Sequence, residues 1–511
     1  MNTRIHSSLS TWRNRQSEAG RNIQMKISVE KRNTLGKIAV GVGLFLIAFV
    51  IVMQSPDCIF SKNGIPETDS GVFQYIGKMM KAGKVPYRDM FDHKGILLYA
   101  INFVAALIPG EAGLWLIETL FMFLAVFGCY KIARLFCNRG YALFAVLIVF
   151  AMMYSYYDGG NFTEEFALPF QMLAVYIFLD YFLNQKVTNI RVLVCGAAFA
   201  CVLLLRANLI AVWLVFCIMV LIHCIAQKEY QTLGKFLVWF LLGAGIVLLP
   251  VLIYLLCQHA LGDFVYDYIL FNKMYATNAD YATMSDKLHI IVNFSCKLPV
   301  ILAALVIFSL IVCRENSWFQ IGYLVYMAVS LVLAGMSGKQ YNHYGMLVLP
   351  MLAYPYAILF RKFQGVNVKK SCPHLVLCGY LLIGIVFAQW RITAVNVNQN
   401  LTAEKWDKEL DQVVEYIKTN TEAEDEISVY GNRSVIYLLS DRRSASKYFY
   451  QTPIAQIDNK IKEQYYEDLK EKKPKLIVLA TQTGVEDIMD FLSVNGYKQV
   501  KEYGSYHIYG Y

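Results

Sequence analysis

The chain has 511 residues, 57% of them hydrophobic and 17% charged, with a formal net charge of +9. Soluble domains carry about a quarter charged residues, and here the apolar residues stand in long blocks, so an ordinary water-soluble globule is excluded. The positive balance does not indicate nucleic acid, because the basic residues sit at the ends of the apolar blocks, where they set the orientation of membrane spans.

The chain opens on a polar, basic stretch, with Arg4, Arg13, Arg15, Arg21, Lys26, Lys31, Arg32 and Lys37 against Glu18 and Glu30. The apolar run Ile38 to Met53 follows. No small-residue cleavage site comes after it, so it is expected to act as a signal anchor and not as a cleaved leader. Ten further runs are expected to cross the bilayer: Leu114–Tyr130, Tyr141–Tyr156, Phe166–Phe182, Val192–Leu205, Leu209–Ile225, Phe236–Cys257, Leu288–Cys313, Phe319–Met336, Gly345–Leu359 and Leu375–Trp390. Most approach the roughly 20 residues a spanning helix needs. Open sheet edges cannot be satisfied in lipid, so helices are the expected form. The fold class is therefore a polytopic α-helical membrane protein with about eleven spans.

Placing the N-terminus in the cytoplasm puts Lys131, Arg134 and Arg139 on the inside, with Lys186 and Arg191, Lys228 and Lys235, Arg314, and Arg361, Lys362, Lys369 and Lys370. Every basic turn then obeys the positive-inside rule. The apolar segment Ile96 to Pro109 is short for a span, and if it crossed, those turns would face outward. It is placed as a juxtamembrane helix. Beyond Trp390 the chain is outside, and from Glu404 it turns polar. Trp406–Ile417 and Val485–Leu492 read as helices, and Ile427–Tyr430, Leu476–Ala480 and Tyr506–Tyr509 as short strands, giving a small α/β domain. No cysteine follows Cys378 and no C-x-x-C occurs, so this domain has neither a disulfide nor a zinc-type cysteine cluster. Three regions are expected: a basic segment 1–36, a membrane part 37–392 with a large outer loop 55–95, and an outer α/β domain 393–511.

Three polar clusters fall on the outer face. The first is Pro66-Glu67-Thr68-Asp69 with Asp89-Met90-Phe91-Asp92-His93-Lys94-Gly95. Glu67 and Asp69 stand where the loop returns to the membrane, and a carboxylate there can act as a general base or hold a cation. Lys94 directly precedes an apolar segment, at headgroup depth, where an ammonium suits an anionic phosphate. The second is Tyr157-Asp158-Gly159-Gly160-Asn161-Phe162-Thr163-Glu164-Glu165. Asp-Gly-Gly is a strong turn signal, but Glu164 and Glu165 exceed what a turn needs. The third is Gly338-Lys339-Gln340-Tyr341-Asn342-His343-Tyr344, in which Lys339 and His343 could hold phosphate. Arg206 lies between two apolar runs; a charge at mid-membrane costs about 2.5–3.5 kcal/mol, so it faces a cavity or snorkels. The plain alternative for each cluster is a solvated or capping loop. One topology, fixed independently by the basic turns, places all three on one side.

The order E-T-D (Glu67-Thr68-Asp69), G-x-x-P-Y-x-D (Gly83 to Asp89) and D-x-K-G (Asp92 to Gly95) resembles the first outer loop of membrane glycosyltransferases of the GT-C class. The similar members are bacterial relatives of protein O-mannosyltransferases and aminoarabinose transferases. The resemblance covers about Gly36 to Trp390. It implies a sugar donor on a polyprenyl phosphate, presented from the membrane lipids, and a glycan, lipid or protein acceptor on the outer side. Asp69 matches the loop aspartate taken as catalytic in an inverting transfer, and Lys94 the position that contacts the lipid phosphate. His93 falls where some relatives keep a group near a divalent metal ion. His343 and Tyr344 would reach the phosphate from the far side, and Asp158 would support the acceptor pocket. Relatives often read K-P-P or H-P-P where this chain has His93-Lys94-Gly95, so a metal-free route through Lys94 is the other option the resemblance leaves open.

Two other functions compete. A transporter or flippase of a polyprenyl-linked glycan would be expected to show paired repeats and broken helices at mid-membrane, and no repeat is visible. A membrane scaffold would leave Asp69, Asp158 and His343 on a shared face without a reason.

Overall fold

The eleven long apolar runs are all helical in the computed structural model, which describes residues 34–62, 64–66, 68–110, 112–185, 187–277, 283–364, 373–402 and 407–511. In chain order the helices are α1 (Thr34–Val52), α2 (Thr68–Lys81), α3 (Ile96–Leu107), α4 (Ala112–Ala133), α5 (Arg139–Ala151), α6 (Met153–Tyr156), α7 (Thr163–Asn184), α8 (Asn189–Leu203), α9 (Ala211–Ala226) and α10 (Tyr230–Cys257). Then come α11 (Leu261–Phe264), a π-helical turn at Val265–Leu270, α12 (Phe271–Thr277), α13 (Met284–Ser295), α14 (Leu298–Val312), α15 (Ser317–Gly335), a 3₁₀ turn at Asn342–Leu347, α16 (Val348–Gln364) and α17 (Pro373–Thr402). Among the described residues, seven helical segments are long and apolar enough to cross a bilayer, or eight if α13 and α14 form one bent span. α3, α8 and α9 are apolar but shorter.

Burial on these helices is two-sided. On α4 the exposed stripe Leu116, Leu120, Leu124 and Phe127 recurs every three to four residues, while Glu118, Met122, Ala125 and Cys129 are buried. That spacing puts one apolar face outward and a second, partly polar face inward, as a bundle surrounded by lipid requires.

Two expectations are corrected. Leu288–Cys313 is not one straight span: α13 and α14 meet at a 72° bend. Pro299 lacks the N–H needed to continue a helix and instead sits in the first turn of α14, after an extended Lys297. Nor does the last helix stop near Trp390. It runs to Thr402 because its polar end has partners: Asn396 Nδ2 donates to Gln54 Oε1 and Tyr154 O, each at 3.0 Å, and Asn400 Nδ2 donates to Met53 O at 2.9 Å and Ser55 O at 2.6 Å.

The C-terminal part contains α18 (Lys408–Asn420), β1 (Glu426–Tyr430), α19 (Val435–Ser440), β2 (Arg443–Ser444), α20 (Gln451–Ile454), α21 (Asn459–Lys472), β3 (Leu476–Leu479), α22 (Glu486–Val494), β4 (Lys498–Tyr503) and β5 (Tyr506–Gly510). The strands form one mixed sheet in the order β2-β1-β3-β5-β4, parallel across β2-β1-β3 and antiparallel across β3-β5-β4. Its core joins Ile477 and Leu479 of β3 to Tyr465 and Leu469 of α21 and Ile488 and Leu492 of α22.

This sheet domain is fastened to α2. The Tyr75 ring lies 4.7 Å from Phe449 and 5.3 Å from Tyr437, and its hydroxyl accepts from the Ser444 N–H at 2.8 Å. Lys78 Nζ pairs with Asp441 at 2.7 Å and donates to Leu438 O at 3.1 Å. The Phe91 N–H donates to Lys447 O at 3.0 Å, so the loop before α3 is held as well.

Candidate functional site

The Asp92–Gly95 turn is bolted to the end of α8. The Gly95 N–H donates to Leu205 O and the Leu97 N–H to Leu204 O, both at 3.0 Å. A Cβ on Gly95 would lie 2.0 Å from Leu204 O, so no other residue admits this approach. The contact fixes Lys94, one residue before, relative to Arg206, one residue after Leu205.

Asp92 is buried, and both its oxygens are used. Tyr99 donates to Oδ2 at 2.6 Å and Tyr450, from the sheet domain, to Oδ1 at 2.5 Å. Burial opposes its charge, but Lys94 and the two hydroxyls outweigh it and hold the carboxyl below its usual range. Next to it, burial and then the Lys94 ammonium push the His93 imidazole down to about 3, so the ring is neutral at neutral pH. Lys94 Nζ donates to His93 Nε2 at 2.9 Å.

Arg206 faces this turn. Its guanidinium pairs with Glu164, donates to Tyr344 Oη at 2.9 Å and lies 4.5 Å above the centre of the Tyr344 ring. Thr163 Oγ1 donates to the second Glu164 oxygen at 2.8 Å. Burial opposes the Arg206 charge, but Tyr344 and Glu164 hold it firmly protonated. The sequence can place Glu164 here because residues 158–161 all take positive φ (Asp158 50°, Gly159 91°, Gly160 87°, Asn161 58°), turning the chain sharply into α7. At Gly160 a Cβ would also meet Glu118 Oε1 at 2.4 Å. Asp158 Oδ2 lies 3.2 Å from His343 Nδ1. The His343 ring is stacked on Phe162, with centroids 3.9 Å apart and planes 7° apart.

These groups line one cavity of about 780 Å³, together with Asp69. Asp69 sits in the first turn of α2, where the helix dipole favours a carboxylate. It is exposed, and no described residue donates a hydrogen bond to its carboxylate. Leu214 of α9, Leu333 of α15 and Met336 just past the end of α15 form another, apolar part of the wall.

Of the residues singled out in the sequence, Asp69, Asp92, His93, Lys94, Asp158, Glu164, Arg206, His343 and Tyr344 meet in this cavity. Glu165 does not line it: it is fully buried and its Oε2 accepts from the Asn161 N–H at 3.0 Å. Lys339 lies on the adjoining turn without lining the cavity, its N–H donating to Ser337 Oγ at 3.3 Å. Glu67 lies outside the described residues. The sequence reading missed Tyr268, Asn272 and Lys273 on the wall built by the π turn and α12, and Asn432 and Tyr450 from the sheet domain. His93 does not present a free ring nitrogen to a divalent metal ion. Both His93 ring nitrogens already face partners, Asn272 and Lys94. Among the described residues, no three His, Cys, Asp or Glu side chains converge as a metal site.

Two family models match this chain. The Ccs4 N-terminal domain, from a family named for competence-induced proteins, matches residues 67–371, and the Ccs4 C-terminal domain matches residues 407–511. The chain belongs to the Ccs4 family. No curated protein matches this Ccs4 chain by sequence. Solved structures do match its fold. ArnT from Cupriavidus metallidurans bound to undecaprenyl phosphate aligns with a TM-score of 0.62 at 11% identity, over 93% of this chain and 98% of that one. Archaeal oligosaccharyltransferase AglB from Archaeoglobus fulgidus, in complex with an inhibitory peptide and a dolichol-phosphate, aligns with a TM-score of 0.52 at 11% identity, over 87% of this chain and 69% of that one. Both are GT-C glycosyltransferases, so this Ccs4 chain has the GT-C membrane fold that the outer-loop motifs resemble.

Proposed function

We propose that this chain is a glycosyltransferase that moves a sugar from a polyprenyl phosphate to an acceptor hydroxyl at the outer face of the membrane. The observation that carries the reading is that Asp69, a carboxylate without a hydrogen-bond donor from the described chain, opens into the same cavity as Lys94 and Arg206. The outer face is supported by the positive-inside rule, since the described basic residues Lys131, Arg191, Lys228, Arg314 and Arg361 stand at helix ends away from the cavity-lining residues.

In this reading Asp69 takes the proton from the acceptor hydroxyl as the oxygen attacks the anomeric carbon. The bond from that carbon to the phosphate oxygen breaks, the anomeric configuration inverts, and polyprenyl phosphate leaves with one more negative charge. Lys94 sits where that charge develops, and a preset cation in a partly dry site stabilises it strongly. Its partner His93 is neutral, so the ammonium is oriented without being cancelled. Arg206 is held rigid by Glu164 and Tyr344 and supplies a second cation. A cavity of about 780 Å³ is within the range that encloses small ligands, and its apolar wall at Leu214, Leu333 and Met336 suits the first isoprenoid units of the lipid. Cells lacking the chain are expected to accumulate a polyprenyl-phosphate sugar that the wild type consumes. Unchanged lipid-linked sugars in such cells would count against the reading and favour transport of a preformed glycan.

A further inference from the structure

α12 contributes a residue whose contacts converge on Lys94. Asn272 Nδ2 donates to His93 O at 2.6 Å and to Tyr268 O at 2.8 Å. Both partners are carbonyl oxygens, so the amide can stand only one way round, and its Oδ1 is the atom that faces His93 Nδ1 at 3.2 Å. An amide oxygen accepts and cannot donate. Nδ1 therefore carries the hydrogen, and Nε2 keeps the lone pair that accepts from Lys94 Nζ at 2.9 Å. In the opposite tautomer an N–H would point at the ammonium, two donors facing each other. The ring itself is packed against Phe271 at 5.4 Å and Tyr275 at 5.5 Å, both on α12.

We propose that Asn272 is a positioning residue: by fixing the ring and tautomer of His93 it sets where Lys94 holds its ammonium in the cavity, and hence how tightly a lipid phosphate binds there. The inference rests on the reading of Lys94 as the phosphate contact. A flexible lysine loses much freedom when it is ordered. An acceptor that is itself locked removes that cost before the phosphate arrives, and because the acceptor is neutral, the full positive charge remains for the ligand. The arrangement also ties the wall at α12 to the Asp92–Gly95 turn, residues 179 apart in sequence.

The test uses the full chain in lipid nanodiscs with undecaprenyl phosphate as the probe, titrated by native mass spectrometry. Asn272→Leu is expected to weaken binding about tenfold, the scale of one lost hydrogen bond to an ion. His93→Ala should weaken it equally, and the double variant no further, because both act through one chain of contacts. A merely structural role for Asn272 would instead make the two losses multiply. Thermal melts identify any variant that fails to fold, and Asn272→Ser then replaces Asn272→Leu. Binding by Asn272→Leu within twofold of wild type, or multiplying losses, overturns the inference and leaves the functional reading intact. If the wild-type chain binds no undecaprenyl phosphate, the functional reading fails and the inference with it.

Discussion

Tyr450 donates its hydroxyl to Asp92 Oδ1 at 2.5 Å, joining residues 358 apart in the chain. Because Tyr99 holds the other oxygen at 2.6 Å, the carboxylate is clamped between α3 and the sheet domain. The sheet domain is thereby a fixed wall of the cavity. Tyr450→Phe would leave one oxygen of a buried ion without a donor, at a cost of about 1.5–3 kcal/mol. A lower thermal midpoint in detergent is expected, with Tyr448→Phe close to wild type as the control. Equal midpoints for the two variants would mean that the clamp contributes nothing.

The same carboxylate gives a pH dependence. Asp92 is held below its unfolded value. A group depressed on folding contributes stability above the unfolded value, and that contribution is lost as pH falls through the folded value. Stability should therefore drop as pH is lowered from about 4, and Asp92→Asn should flatten that part of the curve while lowering the plateau above it. Parallel wild-type and Asp92→Asn curves below pH 4 would assign the acid loss to other groups.

The helices were legible because lipid imposes long apolar runs. Asp69, Lys94 and His343, expected on one face, line one cavity. What escaped depends on three-dimensional phase and distance. Glu164 and Glu165 are neighbours, but successive helical residues point about 100° apart, so Glu164 meets Arg206 while Glu165 turns back to Asn161. Asn272 and Tyr450 carry no local signal, since their partners lie 179 and 358 residues away. β4 was missed because it is a polar edge strand, exposed along almost its whole length, with no alternation to read.

Gly95 is the narrowest point of the design. Gly95→Ala cannot keep both backbone links to Leu204 and Leu205. Overpacking of this kind costs about 1–3 kcal/mol, and here it also moves Lys94 away from Arg206. Melts should show the loss, and undecaprenyl phosphate titrations should show weakened binding. Wild-type values in both would refute the proposed coupling of the two cations.

The orientation of the site is open to a direct test. A cysteine replacing Asp69 should react with a membrane-impermeant maleimide added to intact cells, and a reporter joined after Thr402 should read outside. Labelling only after the cells are broken would invert the topology and remove the outer-face reading.

The most direct measurement is sugar transfer by Asp69→Asn. The purified variant, supplied with a polyprenyl-phosphate sugar extracted from cells lacking the chain, should bind undecaprenyl phosphate as well as wild type yet leave the donor unconsumed. Donor consumption at the wild-type rate would show that the Asp69 carboxylate is not the base, and the mechanism built on it would fall.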